Sequence, residues 1–302
     1  MNESSYISLY RNGKIQERIN RSFELISSAC SLCPRKCHVD RLAGETGVCR
    51  TGEQAVVASF SPHFGEESPL VGTHGSGTIF FSSCNLLCSF CQNYDISRRM
   101  VGQMVEPDEL AAIMIRLQNQ HCHNINFVTP THVVPQILQA LPLAIEQGLS
   151  VPLVYNCGGY ENVEILKLLE GIFDIYMPDF KFWDNSWAKR FCKVEDYQER
   201  TKEVLIEMHR QVGDLQLNEK GLAVRGLLVR HLVMPDNIAG SREVMSFLAR
   251  EISPHTYVNI MGQYFPCGPA RNDETVNRRV TAAELAAAVQ AAIQAGLYRM
   301  AD

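Results

Sequence analysis

Cys84-Asn85-Leu86-Leu87-Cys88-Ser89-Phe90-Cys91 is the stretch that decides how this chain is read. It sets three cysteines at the spacing C-x3-C-x2-C, directly after an apolar run, Gly77-Thr78-Ile79-Phe80-Phe81, that reads as a buried strand. Three thiols therefore gather in a loop just past a strand end. A four-iron cluster that only passes electrons normally takes four cysteine thiolates. Three leave one iron without a protein partner, and an open coordination position can bind a substrate or cofactor where a closed one cannot. Spacing alone leaves two other readings open: a structural zinc knuckle, and cysteines that simply fill a core.

The rest of the chain bounds the setting. It has 302 residues, 46% hydrophobic and 20% charged, which suits a globular chain with one barrel-sized domain. A net charge of -5 gives no support for a nucleic-acid or anionic-membrane surface. No apolar run is long enough to span a bilayer, and Met1-Asn2-Glu3-Ser4-Ser5-Tyr6 has no basic segment followed by an apolar one, so no secretory signal is read. The expected location is the cytoplasm. In a reducing compartment the 11 cysteines, odd in number and clustered, read as metal ligands or reactive thiols rather than disulfides.

From the N-terminus, Ile15, Ile19, Phe23 and Ile26 recur at helical spacing against Arg18, Arg21 and Glu24, predicting an amphipathic helix over about 15–29 that docks on the body of the protein. A second cysteine group follows: Cys30, Cys33, Cys37 and Cys49, with Pro34, Gly44 and Gly47 supplying turns. So short a segment has little core of its own, and a metal would supply the missing stability. Four ligands would close the site, giving a structural or electron-relay role; zinc and an iron–sulfur cluster both remain open. Residues 55–58 read as a short strand. Glu66, Glu67 and His63 read as solvated loop residues.

From Thr78 on, strand candidates at 78–81, 125–129, 153–155, 172–177, 224–233 and 257–260 alternate with helix candidates at 108–120, 133–147, 161–169, 197–212, 241–251 and 282–295. Six β–α units in a row imply a parallel sheet with right-handed crossovers, in an open (β/α)6 partial barrel or a doubly wound sheet. In either fold the chemistry sits at the carboxyl ends of the strands, where the Cys84 loop lies.

The octad resembles the cluster loop of the radical S-adenosylmethionine (SAM) superfamily. The Cys-Pro-Arg-x-Cys segment at 33–37, the run N-F-V-T-P-T-H at 126–132, D-I-Y-M-P-D-F-K at 174–181, M-H-R-Q-V-G at 208–213, R-H-L-V-M-P at 230–235 and M-G-Q-Y at 261–264 extend the likeness. Together they resemble the PflX-like radical SAM proteins, relatives of pyruvate formate-lyase activating enzyme. The resemblance implies an α/β fold, a partial (β/α)6 TIM-like barrel over 76–302, after an N-terminal helix and cysteine-rich metal-binding extension over 1–75. It implies that Cys84, Cys88 and Cys91 hold a [4Fe–4S] cluster whose fourth iron chelates SAM, and that one electron cleaves SAM to methionine and a 5′-deoxyadenosyl radical that abstracts hydrogen. Phe90 would then pack near the adenine.

At the strand ends, Thr129, Asn156, Asp179, Lys181 and His231 are the residues expected to touch SAM, with Arg230 as an alternative to His231. Many members carry a Gly-Gly-Glu-type turn after the second strand; here Thr129-Pro130-Thr131-His132 stands instead, so Thr129, Thr131 or backbone carbonyls take that place. His132 is a candidate proton donor, Cys157 a candidate reactive thiol, and Gln263 and Tyr264 candidate cavity residues; for each, an ordinary structural role is the competing reading. The roles of Cys157 and Cys267 stay open. The resemblance further implies a reducing partner such as flavodoxin or ferredoxin. The substrate is a glycyl residue of a partner enzyme, another peptide or a small molecule. A non-catalytic iron–sulfur electron carrier and a zinc-stabilised binding protein are the competing functions.

Overall fold

Where elements begin and end follows from local chemistry. Helix Pro107–Asn119 opens on a capping box, in which the Glu106 side chain receives the backbone of Glu109 and the Glu109 side chain returns to the Glu106 backbone. Helix Ala282–Ala295 repeats the device with Thr281 and Glu284, and closes on Gly296 at φ 91°, the left-handed cap that glycine adopts without a steric penalty. Both sit where the helical period of the sequence places them, as do Val134–Glu146, Val163–Leu168 and Tyr197–Val212.

A computed structural model describes residues 4–301. Its strands are β1 (Ala55–His63), β2 (Ser76–Phe81), β3 (Gln103–Val105), β4 (Ile125–Val128), β5 (Leu153–Cys157), β6 (Ile175–Pro178), β7 (Gln216–Leu217), β8 (Ala223–Leu232) and β9 (Tyr257–Met261). They join in the order β3-β1-β2-β4-β5-β6-β8-β7, with β9 also paired to β8. The run β2, β4, β5, β6, β8, β9 is parallel throughout, which is the six-unit β–α alternation realised. The sheet is mixed rather than purely parallel, because β1 and β3 add antiparallel on the β2 side and β7 pairs antiparallel with β8. Among the described residues β9 pairs with neither β2 nor β3, so the sheet is not closed. The resulting α/β architecture suits a radical SAM partial barrel.

Every residue of β5 and β6 is buried, as expected for strands covered on both faces. On the outer face Phe127, Tyr155 and Tyr176 pack around Phe173 beneath the helices. On the inner face Val154, Ile175, Met177 and Leu228 form a smaller cluster that also takes Leu70, from the short helix Ser68–Val71.

The N-terminal amphipathic stretch forms two short helices, Ser5–Arg11 and Lys14–Glu24, rather than one. Gly13 in the left-handed region, at φ 68°, separates them. Ile15, Ile19 and Ile26 enter the main hydrophobic core. Residues 25–54 then run without helix or strand. The strand expected at 55–58 continues to His63 and pairs with β2. No helix of the described residues is long and apolar enough to cross a membrane.

Candidate active site at the strand ends

Two features make the Cys84 loop. Ser83 and Leu87 adopt left-handed φ values of 75° and 57°, which turn the chain sharply after β2. Outside groups then hold it in place. Arg35 donates through Nε to the carbonyl of Asn85 (2.9 Å) and through Nη2 to Leu86 (3.3 Å) and Cys192 (2.9 Å). The backbone N–H of Ser89 donates to Phe191 O at 2.8 Å, and Arg98 donates to Leu87 O. Cys88 is buried, while Cys84 and Cys91 are partly exposed. The Leu86 N–H lies 3.3 Å from Cys84 Sγ, a donor suited to a thiolate. Burial pushes the Cys84 thiol up to about 12 and raises Cys91 as well. Cys88 is raised chiefly by the thiol of Cys192, whose Sγ stands 3.4 Å away, and then by burial. Among the described residues no three Cys, His, Asp or Glu side chains close on one point at the spacing of a single ion.

Phe90 is buried in the main core. Its ring packs edge-on against Phe182, Phe191 and Tyr264 at centroid distances of 5.8, 6.2 and 6.1 Å, and so pins the loop to the core. Tyr264 is likewise buried, with its hydroxyl on Val276 O at 2.9 Å. The segment after the loop also reaches the end of β9, where Gln92 donates to the Gln263 carbonyl at 3.2 Å.

Strand alternation decides which strand-end side chains meet. Asn156, Asp179 and Arg230 continue the inner-face positions 154, 177 and 228. Arg230 donates through Nε to Asp179 Oδ1 (2.7 Å) and through Nη2 to Asn156 Oδ1 (2.6 Å). Lys181 Nζ donates to the other Asp179 oxygen at 2.5 Å. Burial alone would raise the Asp179 carboxyl, but Arg230 and Lys181 outweigh it and hold Asp179 below the usual carboxylate range. Lys181 also feels Cys88, which ties this network to the cysteine loop. Gly159, at φ 78°, packs under the Asp179 carbonyl so closely that a Cβ would stand 2.2 Å from it, so the glycine pair serves a backbone approach within the protein.

His231 lies one residue out of phase. It is fully buried on the other face, with Nδ1 on Phe180 O (2.7 Å) and Nε2 on Ser241 Oγ (2.9 Å), and burial lowers it to about 4. Both ring nitrogens are engaged away from the network, so Arg230 occupies the place expected of His231. Thr129 holds a left-handed φ of 60°, rare for a β-branched residue, with its N–H on Asn156 O at 2.8 Å. Thr131 is turned from the lumen to Glu161, donating at 2.6 Å, and Tyr155 donates to the other Glu161 oxygen at 2.9 Å. Burial raises Glu161 to about 7 and raises Cys157 beside it.

Several residues carried no signal in the sequence. Glu66 approaches Arg230 at 3.8 Å, and Glu67 accepts from Asn259 at 2.8 Å; both come from the segment before the short helix that carries Leu70 into the inner-face cluster. Asn126 on β4 is completely buried, and neither its Oδ1 nor its Nδ2 has a partner; Glu67 Oε2 is also unpartnered. Buried polar atoms without partners are costly and rare. Asn126 is level with inner-face Val154, so the barrel interior offers unused hydrogen-bonding capacity to a polar ligand. Together with three thiols in an adjoining loop, this fits a cluster-bound, zwitterionic cofactor.

Residues 78–215 match the model of the radical SAM superfamily. An uncharacterized protein of Methanocaldococcus jannaschii, MJ0674, is 33% identical over 273 residues, which cover 87% of this chain and 74% of the relative. The chain belongs to the radical SAM superfamily. That family implies an enzyme with a [4Fe–4S] cluster and SAM.

Proposed function

We propose that the protein is a radical SAM oxidoreductase of the activating-enzyme type, with Cys84, Cys88 and Cys91 as the cluster ligands. The observation that carries this reading is the meeting of a three-thiol loop with the Asn156–Asp179–Lys181–Arg230 network at the ends of the parallel strands. When bound, cluster and SAM supply one-electron cleavage to methionine and a 5′-deoxyadenosyl radical, which takes a hydrogen atom from the substrate and leaves it as a radical. The protein's own part is to bind, orient and exclude water. Lys181 and Arg230 present cationic donors to a carboxylate, and Asp179 presents an acceptor to an ammonium group. Asn156 and Asn126 are amides suited to ribose or carboxylate. Leu86 and the aromatic cluster around Phe90 keep the site dry, which protects a radical from quenching.

By its likeness to the activating branch, the substrate to try first is a glycine Cα of a partner enzyme. A flavodoxin or ferredoxin would supply the electron, and the reaction would run in the cytoplasm. The test is anaerobic. Protein reconstituted with iron and sulfide is given SAM and a strong reductant, and 5′-deoxyadenosine is measured beside Cys88→Ala. The reading expects product from the native chain and none from the variant. A fully loaded native chain that makes no product would sink it.

A further inference from the structure

The N-terminal cysteines have no part in that reaction, yet they share one enclosure. Cys30, Cys33, Cys37 and Cys49, from a segment without helix or strand, all line a single cavity beside the Cys84 loop. Left-handed turns at Lys36, His38 and Arg50 bring them there. Gly47 lies flat against Cys37, where a Cβ would stand 2.6 Å from the sulfur. The Val48 N–H points at Cys37 Sγ from 3.4 Å, and the Arg35 N–H donates to Cys33.

Two further observations point to a bound anionic centre. His132 lines the same cavity, is 1% exposed and uses Nε2 on Ser82 O at 2.8 Å, but its Nδ1 has no partner. Arg41, also 1% exposed and on the cavity wall, has its guanidinium on carbonyls only: Gly52 O at 3.1 and 2.8 Å, and His132 O at 3.0 Å. A buried guanidinium without a carboxylate is expensive unless negative charge lies nearby. A metal held by four thiolates carries that charge.

We infer that Cys30, Cys33, Cys37 and Cys49, which line one cavity but do not close on one point at the spacing of a single ion, form a second, closed iron–sulfur centre, which fixes the active-site loop through Arg35. Arg35 sits between two of these cysteines in sequence and ends on the carbonyls of Asn85, Leu86 and Cys192. Ser83 adds a second tie by donating to the Cys49 carbonyl. With four protein ligands the centre has no position for SAM. The inference stands whether or not the Cys84 loop turns over SAM.

The test uses the full chain carrying Cys84→Ala, Cys88→Ala and Cys91→Ala, which removes the other loop's ligands. Iron, acid-labile sulfide and zinc are counted after anaerobic purification and again after reconstitution. Roughly four irons with matching sulfide per chain supports the centre, and about one zinc without sulfide overturns it. Adding Cys33→Ser and Cys37→Ser should abolish that metal. Binding of neither metal by a triple variant with native circular dichroism overturns the centre, and so does metal that survives Cys33→Ser/Cys37→Ser. In an otherwise native chain, Arg35→Ala should keep the N-terminal metal while iron in the Cys84 loop is lost to chelator several-fold faster. Unchanged loss would overturn the tie to the active site.

Discussion

The two cysteine loops lie side by side and are built differently. The Cys84 loop sits at the end of a parallel strand, brings three thiols and faces a network of fixed charges. The N-terminal loop brings four thiols, has no regular structure of its own and closes on Arg41 and His132. The difference teaches that the number of ligands and what stands opposite them matter more than cysteine spacing. One loop leaves room for a cofactor and is oriented by the barrel. The other, on the inference above, would fill its own coordination, and its Arg35 holds the carbonyls of the first.

The largest expected break in the comparison comes from one thiol on each side. Cys91→Ser should bring 5′-deoxyadenosine formation to background, whereas Cys37→Ser should keep most of the activity per iron bound while lowering total loading. Equal losses per iron would mean that the loops do not differ in role. Next in size is Asp179→Asn, which leaves Lys181 and Arg230 facing each other without their shared carboxylate. Breaking a buried ion network in this way costs about 3–5 kcal/mol. Denaturant unfolding of the metal-free variant should show that loss, and a midpoint within experimental error of the native chain would contradict the geometry.

The smallest effect concerns Glu161, a buried carboxyl that lies near Cys33 and Cys157. Burial raises it from 4.5 to about 7, so between those values the folded state holds a proton that the unfolded chain has released. Stability should therefore fall as pH rises through that window, by up to about 3 kcal/mol. Glu161→Gln should remove this dependence, so its advantage over the native chain should grow from pH 5 to pH 8 in thermal unfolding. An identical pH profile in both proteins would refute the assignment.

Much of the fold was legible because the signals were long and periodic. The six parallel strands and the helices between them fall where apolar runs and 3.6-residue periods alternate, and the cysteine octad lies, as read, at the carboxyl ends of the parallel strands. Parity within a doubly buried strand was not legible. At Arg230-His231 both faces are covered, so no polar alternation says which residue points inward, and only the Asp179–Arg230 register decides it. Glu66, Glu67 and Asn126 were hidden for a related reason: their meaning comes from partners far away in sequence, or from having none. The short strands β3 and β7, with three and two residues, carry too little pattern to be read. The proximity of Cys192 to Cys88 depends on a helix end more than a hundred residues downstream.

The most direct measurement is the EPR spectrum of the reduced, reconstituted chain carrying Cys33→Ser and Cys37→Ser, recorded with and without SAM. Only the three-thiol loop can then hold a cluster. An open iron predicts a cluster signal whose g-values shift on adding SAM. A full cluster signal that SAM leaves unchanged would contradict the open site and, with it, the distinction between the two loops.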